Sequence, residues 1–221
     1  MGKIAAFFDM DYTLVDANTA ALYVKFLRRE GLTSRRDVAR TLWWSLRYRL
    51  GRLDLRQVVE RIVADVAGDP EQETRDRCVG WYQQDVKRFV SPAGRAAVER
   101  HRALGHTLVL LTGNSPYISG PLAADLGFDH ILCTKLEVDS DGNFTGKLVP
   151  PFAYGEGKVE LAEALAAEHD LDLSKSSFYT DSHSDMPMLL RVGEPIVVNP
   201  DPRLARQATR RGWLVLEFRS A

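Results

Sequence analysis

In the stretch KIAAFFDMDYTLV, residues 3–15, an apolar run ends in two acidic residues, Asp9 and Asp11. A run that is apolar at successive positions, rather than at alternate ones, is typical of a strand at the centre of a parallel sheet with helices on both faces. Such sheets bind ligands at the carboxyl ends of their strands. The stretch therefore predicts a central strand that presents two carboxylates at a ligand-binding edge.

Further apolar runs with strand character alternate with helical patterns along the rest of the chain. The helical patterns carry ordinary start and stop signals, such as Ser91-Pro92 before one of them and Gly105 after it. This alternation predicts an α/β fold with a Rossmann-like parallel sheet. The predicted strands are residues 3–8, 106–111, 130–135, 176–180, 195–198 and 213–218, and the predicted helices between them are residues 91–105, 157–170 and 202–212.

Residues 16–88 break the alternation, because they contain helical patterns only. A single crossover helix is enough to join two parallel strands. We therefore predict an all-helical cap domain over residues 16–88 and an α/β catalytic core formed by residues 1–15 and 89–221. Residues 136–150 are predicted to form a small hairpin with Asp141-Gly142 in its turn, since the flanking residues alternate.

The composition excludes some classes of protein. Lys and Arg total 29 against 30 Asp and Glu, and this balance argues against a nucleic-acid binder. The two cysteines, Cys78 and Cys133, are expected to be buried thiols in a reducing compartment. No stretch approaches the ~20 apolar residues of a membrane-spanning helix, and no signal peptide is recognisable. We therefore expect a soluble, cytoplasmic protein, and the oligomeric state stays open.

Polar residues follow the other predicted strands as well, at the same edge as Asp9 and Asp11. Carboxylate oxygens suit Mg²⁺, and a carboxylate beside the metal can attack phosphorus while a second one exchanges a proton. A lysine, a hydroxyl and backbone amides would stabilise the charge on the transferring oxygens. This combination of residue types predicts phosphoryl transfer. The polar residues concerned are Thr112, Gly113 and Asn114 after the second strand, Lys158 at a helix start, and Asp181 and Asp185 after the strand SSFYT.

These residues together resemble the four ordered motifs of the haloacid dehalogenase superfamily, and the helical insertion resembles the cap of its phosphoserine-phosphatase-like branch. The matching stretches are Asp9-x-Asp11-x-Thr13, LLTGN with Thr112, the isolated Lys158, and DSHSD with Asp181 and Asp185. The resemblance covers essentially the whole chain. It implies an enzyme, a Mg²⁺-dependent phosphatase that acts through an aspartyl-phosphate.

The resemblance also implies a role for each matched residue. Asp9 would be the nucleophile and Asp11 the general acid and base. Mg²⁺ would be held by Asp9, the backbone carbonyl of Asp11 and Asp181, with Asp185 bound directly or through water. Asp185 has an alternative role as the cap of a helix that begins at Met186. Lys158, the Thr112 hydroxyl and the amides of Gly113 and Asn114 would contact phosphate, and Thr13 would shape the loop after the strand.

The substrate is expected to be a small phosphorylated metabolite, such as phosphoserine, histidinol phosphate or a similar compound. Phosphoserine phosphatases carry a glutamate shortly after the first motif, and here Asn18 stands at or near that place. Arg61 is the candidate for binding a substrate carboxylate, although Glu60 could occupy the matching position. His183 either faces the substrate or is a loop histidine without a chemical role. Transfer of the phosphoryl group to an acceptor other than water, and a lipid-linked substrate, are the alternatives.

The predicted cap is basic. Residues 25–61 carry eleven Lys and Arg but four acidic residues, and the aromatic residues Trp43, Trp44 and Tyr48 lie among them. Basic and aromatic residues together suit a lipid interface. The helical spacing of Val38, Leu42 and Leu46 instead favours an ordinary core-facing stripe with arginines on the wet face. We expect the ordinary stripe, with membrane contact as the alternative.

Overall fold

The computed structural model describes residues 2–33, 43 and 55–219. Its centre is a six-stranded sheet in the order β3-β2-β1-β6-β7-β8, in which all neighbours are parallel, and β4 and β5 form a separate antiparallel hairpin. The predicted parallel sheet, with its first strand at the centre, is therefore confirmed. The strands are β1 (Ala5–Phe8), β2 (Thr107–Leu111), β3 (His130–Leu132), β4 (Lys135–Val138), β5 (Phe144–Val149), β6 (Ser177–Thr180), β7 (Glu194–Val198) and β8 (Leu214–Leu216).

Helices flank the sheet and fill the described part of residues 16–88. Short 3₁₀ and π turns follow some of them. None of the helices within the described residues is long and apolar enough to span a bilayer. The helices are α1 (Thr19–Arg29), α2 (Leu55–Ala64), α3 (Glu71–Trp81), α4 (Pro92–Ala103), α5 (Pro116–Leu126), α6 (Glu156–His169), α7 (Met186–Arg191) and α8 (Pro202–Arg211).

The predicted basic and aromatic helix falls mostly outside the described residues. Trp44 and Tyr48 lie there, as does the apolar stripe at residues 38–46, whereas Trp43 is described and its surface is 57% exposed. The ordinary core-facing stripe therefore stays the prediction for this segment, and lipid contact stays the alternative. The division of the chain into a core and a cap domain also stays a prediction.

The central strand β1 is buried on both faces, which is why its sequence is apolar at successive positions. All four of its side chains have no exposed surface. Ala6 and Phe8 belong to the apolar cluster on one face of the sheet, and Ala5 and Phe7 belong to the cluster on the other face. Burial on both faces fixes the strand at the middle of the sheet, so the residues that follow it lie at the middle of the carboxyl edge.

Local signals set the helix ends as predicted. The Ser91 hydroxyl accepts a hydrogen bond from the backbone N–H of Gly94 at the start of α4, and the Asp201 carboxylate accepts one from the N–H of Leu204 at the start of α8. Gly212 closes α8 in the left-handed conformation with a φ of 65°. These helix boundaries therefore follow from short-range hydrogen bonds made by residues at the helix ends.

The prediction for residues 130–135 is wrong in its second half, because the strand ends at Leu132. The backbone N–H of Thr134 donates to the carbonyl of Asn114 instead of continuing the sheet. The chain then enters the predicted hairpin, which is confirmed as the antiparallel pair β4–β5, with Gly142 in its turn at a φ of 81°. The hairpin therefore begins after β3, beside the loop that follows β2.

Candidate active site

Asp9 lies directly after β1 and is held beside the neighbouring strand β6. Its backbone N–H donates to the carbonyl of Tyr179 at 2.9 Å, and the residue is only 8% exposed. The amine of Lys158, from the first turn of α6, lies 3.0 Å from Asp9 Oδ1. The same amine lies 2.8 Å from Asp185 Oδ2. Lys158 therefore bridges two acids from different segments in a buried cluster.

The position of Lys158 depends on the glycine that precedes it. A side chain at Gly157 would place its Cβ 1.9 Å from the carbonyl oxygen of Phe152, so only glycine allows this close approach. Gly157, the second glycine of GEGKV, is thus needed for close packing of the backbone. It brings the segment that contains Phe152 against the start of α6.

Asp185 is fixed by two donors within the protein. Besides Lys158, the hydroxyl of Thr180 at the end of β6 donates to Asp185 Oδ2 at 2.6 Å. Asp185 precedes α7, yet its carboxylate makes no capping hydrogen bond to that helix. The alternative that Asp185 caps the helix at Met186 is therefore wrong, since its carboxylate points to Lys158 and Thr180.

Asp11 has a different environment from Asp9. Its Oδ1 accepts two hydrogen bonds from Thr19, one from the backbone N–H at 3.1 Å and one from the hydroxyl at 2.6 Å. Thr19 is the first residue of α1 and is completely buried. Two acids that are two positions apart in the sequence are thus held by different partners.

Asn114 connects the loop after β2 to this network. Its side-chain amide donates to the Thr19 hydroxyl at 3.1 Å and to the Thr112 hydroxyl at 3.4 Å, and its backbone N–H donates to Thr112 at 3.3 Å. Gly113, between them, is exposed, and a Cβ there would lie 3.5 Å from the carbonyl oxygen of Ala153. Thr112 is buried, so its hydroxyl is oriented by protein donors at the edge of the site.

Burial dominates the ionisation of the acids in this cluster. It raises the pKa of Asp9 to about 7, against the lowering effect of Lys158 and together with the raising effect of Asp185. Burial, with the charges of Asp9 and Asp185, also raises the pKa of Asp181 to about 8. The pKa of Asp11 is raised by burial, although its hydrogen bonds to Thr19 lower it. The effects that raise the pKa values of these acids therefore exceed the lowering effect of Lys158. An additional positive charge in the site would stabilise the ionised carboxylates.

Lys158 itself stays protonated in this setting. Burial alone lowers the pKa of its amine, but the charges of Asp185 and Asp9 and the hydrogen bonds to them outweigh burial and raise it. The cluster therefore holds a fixed cation on one side of Asp9. Asp181 is half-buried, and its carboxyl group interacts electrostatically with Asp9, Asp185 and Lys158.

The donor set fits Mg²⁺ better than a metal that needs a full set of protein side chains. Within residues 2–33, 43 and 55–219, no three His, Cys, Asp or Glu side chains are grouped to hold an ion by themselves. Mg²⁺ usually binds one or two carboxylates and keeps several waters. Asp9 and Asp181, whose pKa values are raised mainly by burial, provide two such carboxylates. Asp185 Oδ2 is taken by Lys158 and Thr180.

Thr13 and Asn18, both predicted near the substrate, have structural settings of their own. Thr13 is buried, and its hydroxyl has no hydrogen-bond partner among the residues that the structure describes. Asn18 is exposed and caps α1 by accepting a hydrogen bond from the N–H of Ala21 at 2.8 Å. Contact of either residue with a substrate stays a prediction.

Arg61 and His183 are the two other predicted substrate contacts. Arg61 is exposed on α2, and its neighbour Glu60 is paired with Arg56 one turn earlier at 2.9 Å. The backbone N–H of His183 donates to Asp201 at 2.6 Å, which fixes the loop after β6. Their role toward a substrate also stays a prediction.

Sequence reasoning missed Thr19 and Thr180, which hold Asp11 and Asp185 respectively. Thr180 carried a weak signal, since it is a polar residue at the end of an apolar strand. Thr19 carried none beyond its place after Asn18 at a helix start, where Thr is ordinary. Both act through contacts that short-range patterns do not encode.

The fold and the site together define an α/β protein with a buried cluster of carboxylates at the carboxyl edge of a parallel sheet. The family model described as haloacid dehalogenase-like hydrolase matches residues 6–190. The chain belongs to this family of hydrolases, and the resemblance found in its four motifs is confirmed. The helical segment between β1 and β2 agrees with the phosphatase branch that the motifs indicated.

Individual relatives are similar over almost the whole chain. The histidinol-phosphatase of Neisseria meningitidis serogroup C is 29% identical over 98% of this chain and 100% of its own length. The inhibition of morphological differentiation protein of Streptomyces azureus is 34% identical over 98% of this chain and 79% of its own length. A crystal structure of a Bordetella pertussis Tohama I protein of unknown function superposes with a TM-score of 0.90 at 28% identity, covering 99% of this chain and 100% of that one.

Proposed function

We propose that this protein is a Mg²⁺-dependent phosphatase that hydrolyses a small phosphomonoester through an aspartyl-phosphate on Asp9. One observation carries the proposal. The buried amine of Lys158 bridges Asp9 and Asp185, while Asp11 is held separately by Thr19. One acid is thus placed beside a fixed cation, as a nucleophile needs, and the other is placed among neutral donors, as a proton carrier needs.

In the first step, a carboxylate oxygen of Asp9 forms a bond to phosphorus and the bond from phosphorus to the leaving oxygen breaks. Asp11, protonated beforehand, gives its proton to that leaving oxygen, so that an alcohol departs. The raised pKa of Asp11 favours the protonated form that this step requires. Lys158 and the Thr112 hydroxyl would stabilise the phosphoryl oxygens.

In the second step, water attacks phosphorus and the bond to Asp9 breaks, which returns the Asp9 carboxylate and releases inorganic phosphate. Asp11, now ionised, takes the proton of the attacking water and is ready for another cycle. Mg²⁺ held by Asp9, Asp181 and the backbone carbonyl of Asp11 would supply positive charge that offsets the repulsion between the acids and phosphate.

The substrate is proposed to be a small metabolite rather than a macromolecule. A full-length relative bears the name histidinol-phosphatase, which supports a phosphorylated amino alcohol. Phosphoserine is the other compound that the phosphoserine-phosphatase-like motifs indicate. A cytoplasmic location belongs to the same proposal, and the two free, buried thiols of Cys78 and Cys133 support it.

The experiment is phosphate release from histidinol phosphate, phosphoserine and glycerol phosphate, each with Mg²⁺ and with EDTA. Hydrolysis that requires Mg²⁺ is expected for at least one ester. Asp9→Asn should abolish turnover, and Asp76→Asn, an exposed acid on α3, is the matched control. Turnover by Asp9→Asn at the wild-type rate would refute the nucleophile. Addition of acceptor alcohols tests the alternative, since a phosphotransferase would form new esters instead of inorganic phosphate.

A further inference from the structure

The backbone of Tyr12, between Asp11 and Thr13, has a left-handed conformation. Its φ is 54°, in a region that glycine adopts freely and that a residue as bulky as tyrosine adopts rarely. The residue is 39% exposed, so close packing of its ring in the core does not impose this conformation. Contacts of the backbone itself must therefore hold Tyr12 in place.

The side chain of Asn199, directly after β7, supplies such a contact. Its Nδ2 donates to the carbonyl of Tyr12 at 2.8 Å, across 187 positions of sequence. Its Oδ1 accepts a hydrogen bond from the backbone N–H of Phe218 at 2.9 Å. One partner is a carbonyl and the other is an N–H, so both ends of the amide are used and its orientation is fixed. Asn199 is only 5% exposed, and it therefore joins the loop of Asp11 to the segment after β8 through a buried amide.

The residue type at position 199 is narrowly constrained. The φ of Asn199 is 44°, and asparagine is among the few residues besides glycine that adopt the left-handed region readily. Its backbone N–H donates to the carbonyl of Leu216 at 3.1 Å, which fixes its backbone beside β8. Aspartate has the same shape, but an ionised carboxylate only accepts hydrogen bonds. The bond to the carbonyl of Tyr12 therefore depends on the amide group.

Phe218, the second partner of the amide, is itself anchored. It is 5% exposed, and its carbonyl accepts a hydrogen bond from the hydroxyl of Ser91 at 2.5 Å. The backbone N–H of Ser91 donates to the carbonyl of Leu14 at 2.8 Å, which returns to the loop of Tyr12. A Cβ at Gly94 would lie 3.1 Å from the side chain of Leu14 and 3.4 Å from that of Phe218, so this region is closely packed. The amide is thus part of a closed ring of contacts beneath the loop.

The ring of contacts acts on Asp11 rather than on Asp9. Asp9 directly follows β1, and its backbone N–H is held by the carbonyl of Tyr179 in the neighbouring strand. Asp11 lies beyond the strand and next to Tyr12, so the direction of its backbone depends on the turn. The hydrogen bonds from Thr19 reach the carboxylate of Asp11 and not its backbone. The backbone at Asp11 therefore depends on how Tyr12 is held.

We propose that Asn199 is a positioning residue for the reaction. It keeps Tyr12 in the left-handed conformation, and so it sets the place of Asp11, which exchanges a proton with the leaving group. Asn199 acts through the backbone of Tyr12 and contacts no substrate atom. The inference rests on the proposed phosphatase function, and it adds a residue that lies outside the four motifs.

Asn199→Asp tests the proposal, because it removes the donor to Tyr12 and keeps the acceptor for Phe218. The value of kcat/KM covers the step in which Asp11 protonates the leaving oxygen. For an alkyl phosphoester that the wild-type protein hydrolyses, Asn199→Asp should lower kcat/KM about tenfold, since an alkoxide leaves poorly without a proton. For p-nitrophenyl phosphate, whose phenolate leaves without one, the change should be less than about twofold. Asn143→Asp, the same change in the turn of the hairpin, is the control.

Tyr12→Gly supplies a second measurement. Glycine adopts a positive φ without steric cost, so in the Tyr12→Gly background Asn199→Asp should lower kcat/KM for the alkyl ester by less than about threefold. If Asn199→Asp does not fold, Tyr12→Val and Tyr12→Gly make the same comparison, because valine rarely adopts a positive φ. Tyr12→Val should then be slower than Tyr12→Gly by about tenfold. Equal rates of these two variants would overturn the proposal.

Amide hydrogen exchange follows the loop without turnover. The backbone N–H groups of Leu14 and Val15 both donate to the carbonyl of Met10, so a peptide that covers residues 10–15 reports on the turn. Exchange in this peptide should be about tenfold faster in Asn199→Asp than in Asn143→Asp, because the turn opens more often when its anchor is lost.

Equal losses of kcat/KM for the alkyl ester and p-nitrophenyl phosphate would overturn the proposal, since Asn199 would then not act through Asp11. Unchanged kinetics in Asn199→Asp would overturn it as well, and so would a loss of undiminished size in the Tyr12→Gly background. Faster exchange in Asn199→Asp, with no ester hydrolysed by the wild-type protein, would instead contradict the phosphatase function and leave Asn199 as the residue that holds the loop.

Discussion

The amine of Lys158 lies 3.0 Å from Asp9 Oδ1, and both residues are less than a tenth exposed. A charged pair at this depth is costly to bury and loses its compensation when one partner is removed. In this site the arrangement keeps a cation beside the carboxylate that is proposed to attack phosphorus. The same ion pair therefore contributes to the stability of the cluster and to its proposed chemistry.

Lys158→Met should lower kcat by about 100-fold or more, because it removes a fixed cation from the oxygens where charge develops. Steady-state phosphate release measures the change, and circular dichroism checks that the fold is retained. Lys175→Met is the control, since Lys175 makes an exposed ion pair with Asp172 at 2.6 Å. A kcat for Lys158→Met within threefold of the control would contradict the role of the lysine.

Thr19→Val should lower kcat about tenfold with little effect on KM, because the hydroxyl that orients Asp11 is lost while the substrate contacts remain. Thr19→Ser, which keeps the hydroxyl, should restore most of the rate. Thr209→Val serves for comparison, since Thr209 is exposed and bonds only to the carbonyl of Ala205 in its own helix. If Thr19→Ser is as slow as Thr19→Val, the hydroxyl does not position Asp11.

The metal-free protein should lose stability as the pH rises. The pKa of Asp9 is raised from 3.8 to about 7, and the pKa of Asp181 is raised from 3.8 to about 8. At pH values between 3.8 and the raised pKa, each carboxyl group is protonated in the folded state and ionised in the unfolded state, so the folded state holds more protons. The free energy of unfolding therefore falls as the pH increases through this window. The proposed Mg²⁺ site requires the ionised carboxylates, so Mg²⁺ should raise Tm more at pH 8 than at pH 5.

Thermal unfolding with EDTA or Mg²⁺ at the two pH values measures this effect. Asp181→Asn should lack most of the increment from Mg²⁺ at pH 8, whereas Asp76→Asn should keep it. An equal rise in Tm at both pH values in the wild-type protein would show that the two carboxylates do not titrate as described.

Phe144→Ala should destabilise the protein by about 3–5 kcal/mol, because Phe144 is 2% exposed and packs edge-on against Tyr117, with 5.3 Å between the ring centres. Urea unfolding gives the free energy. Leu104→Ala, at a residue that is 63% exposed, should change it by less than about 0.5 kcal/mol.

Local sequence patterns predicted the parallel sheet and the edge at which the candidate site lies. Successive apolar residues from Ala5 to Phe8 predicted a strand buried on both faces, and such a strand lies at the centre of the sheet. Helix ends at Ser91 and Gly212 followed from capping signals that extend over a few residues. The predicted strand at residues 130–135 is too long. The backbone hydrogen bond from Thr134 to Asn114, which joins two loops that are distant in sequence, draws the chain away from the sheet after Leu132.

The contacts of each acid depend on tertiary packing and could not be read from local patterns. Lys158 and Asp9 are 149 positions apart, and their contact depends on how α6 packs beside β1. The same packing directs Asp185 to Lys158 and Thr180 rather than to its own helix, and it places Asp11 on Thr19. Short-range patterns record periodicity and capping, which are local. Burial and long-range hydrogen bonds set the pKa values and roles of the acids, and these exist only once the chain is folded.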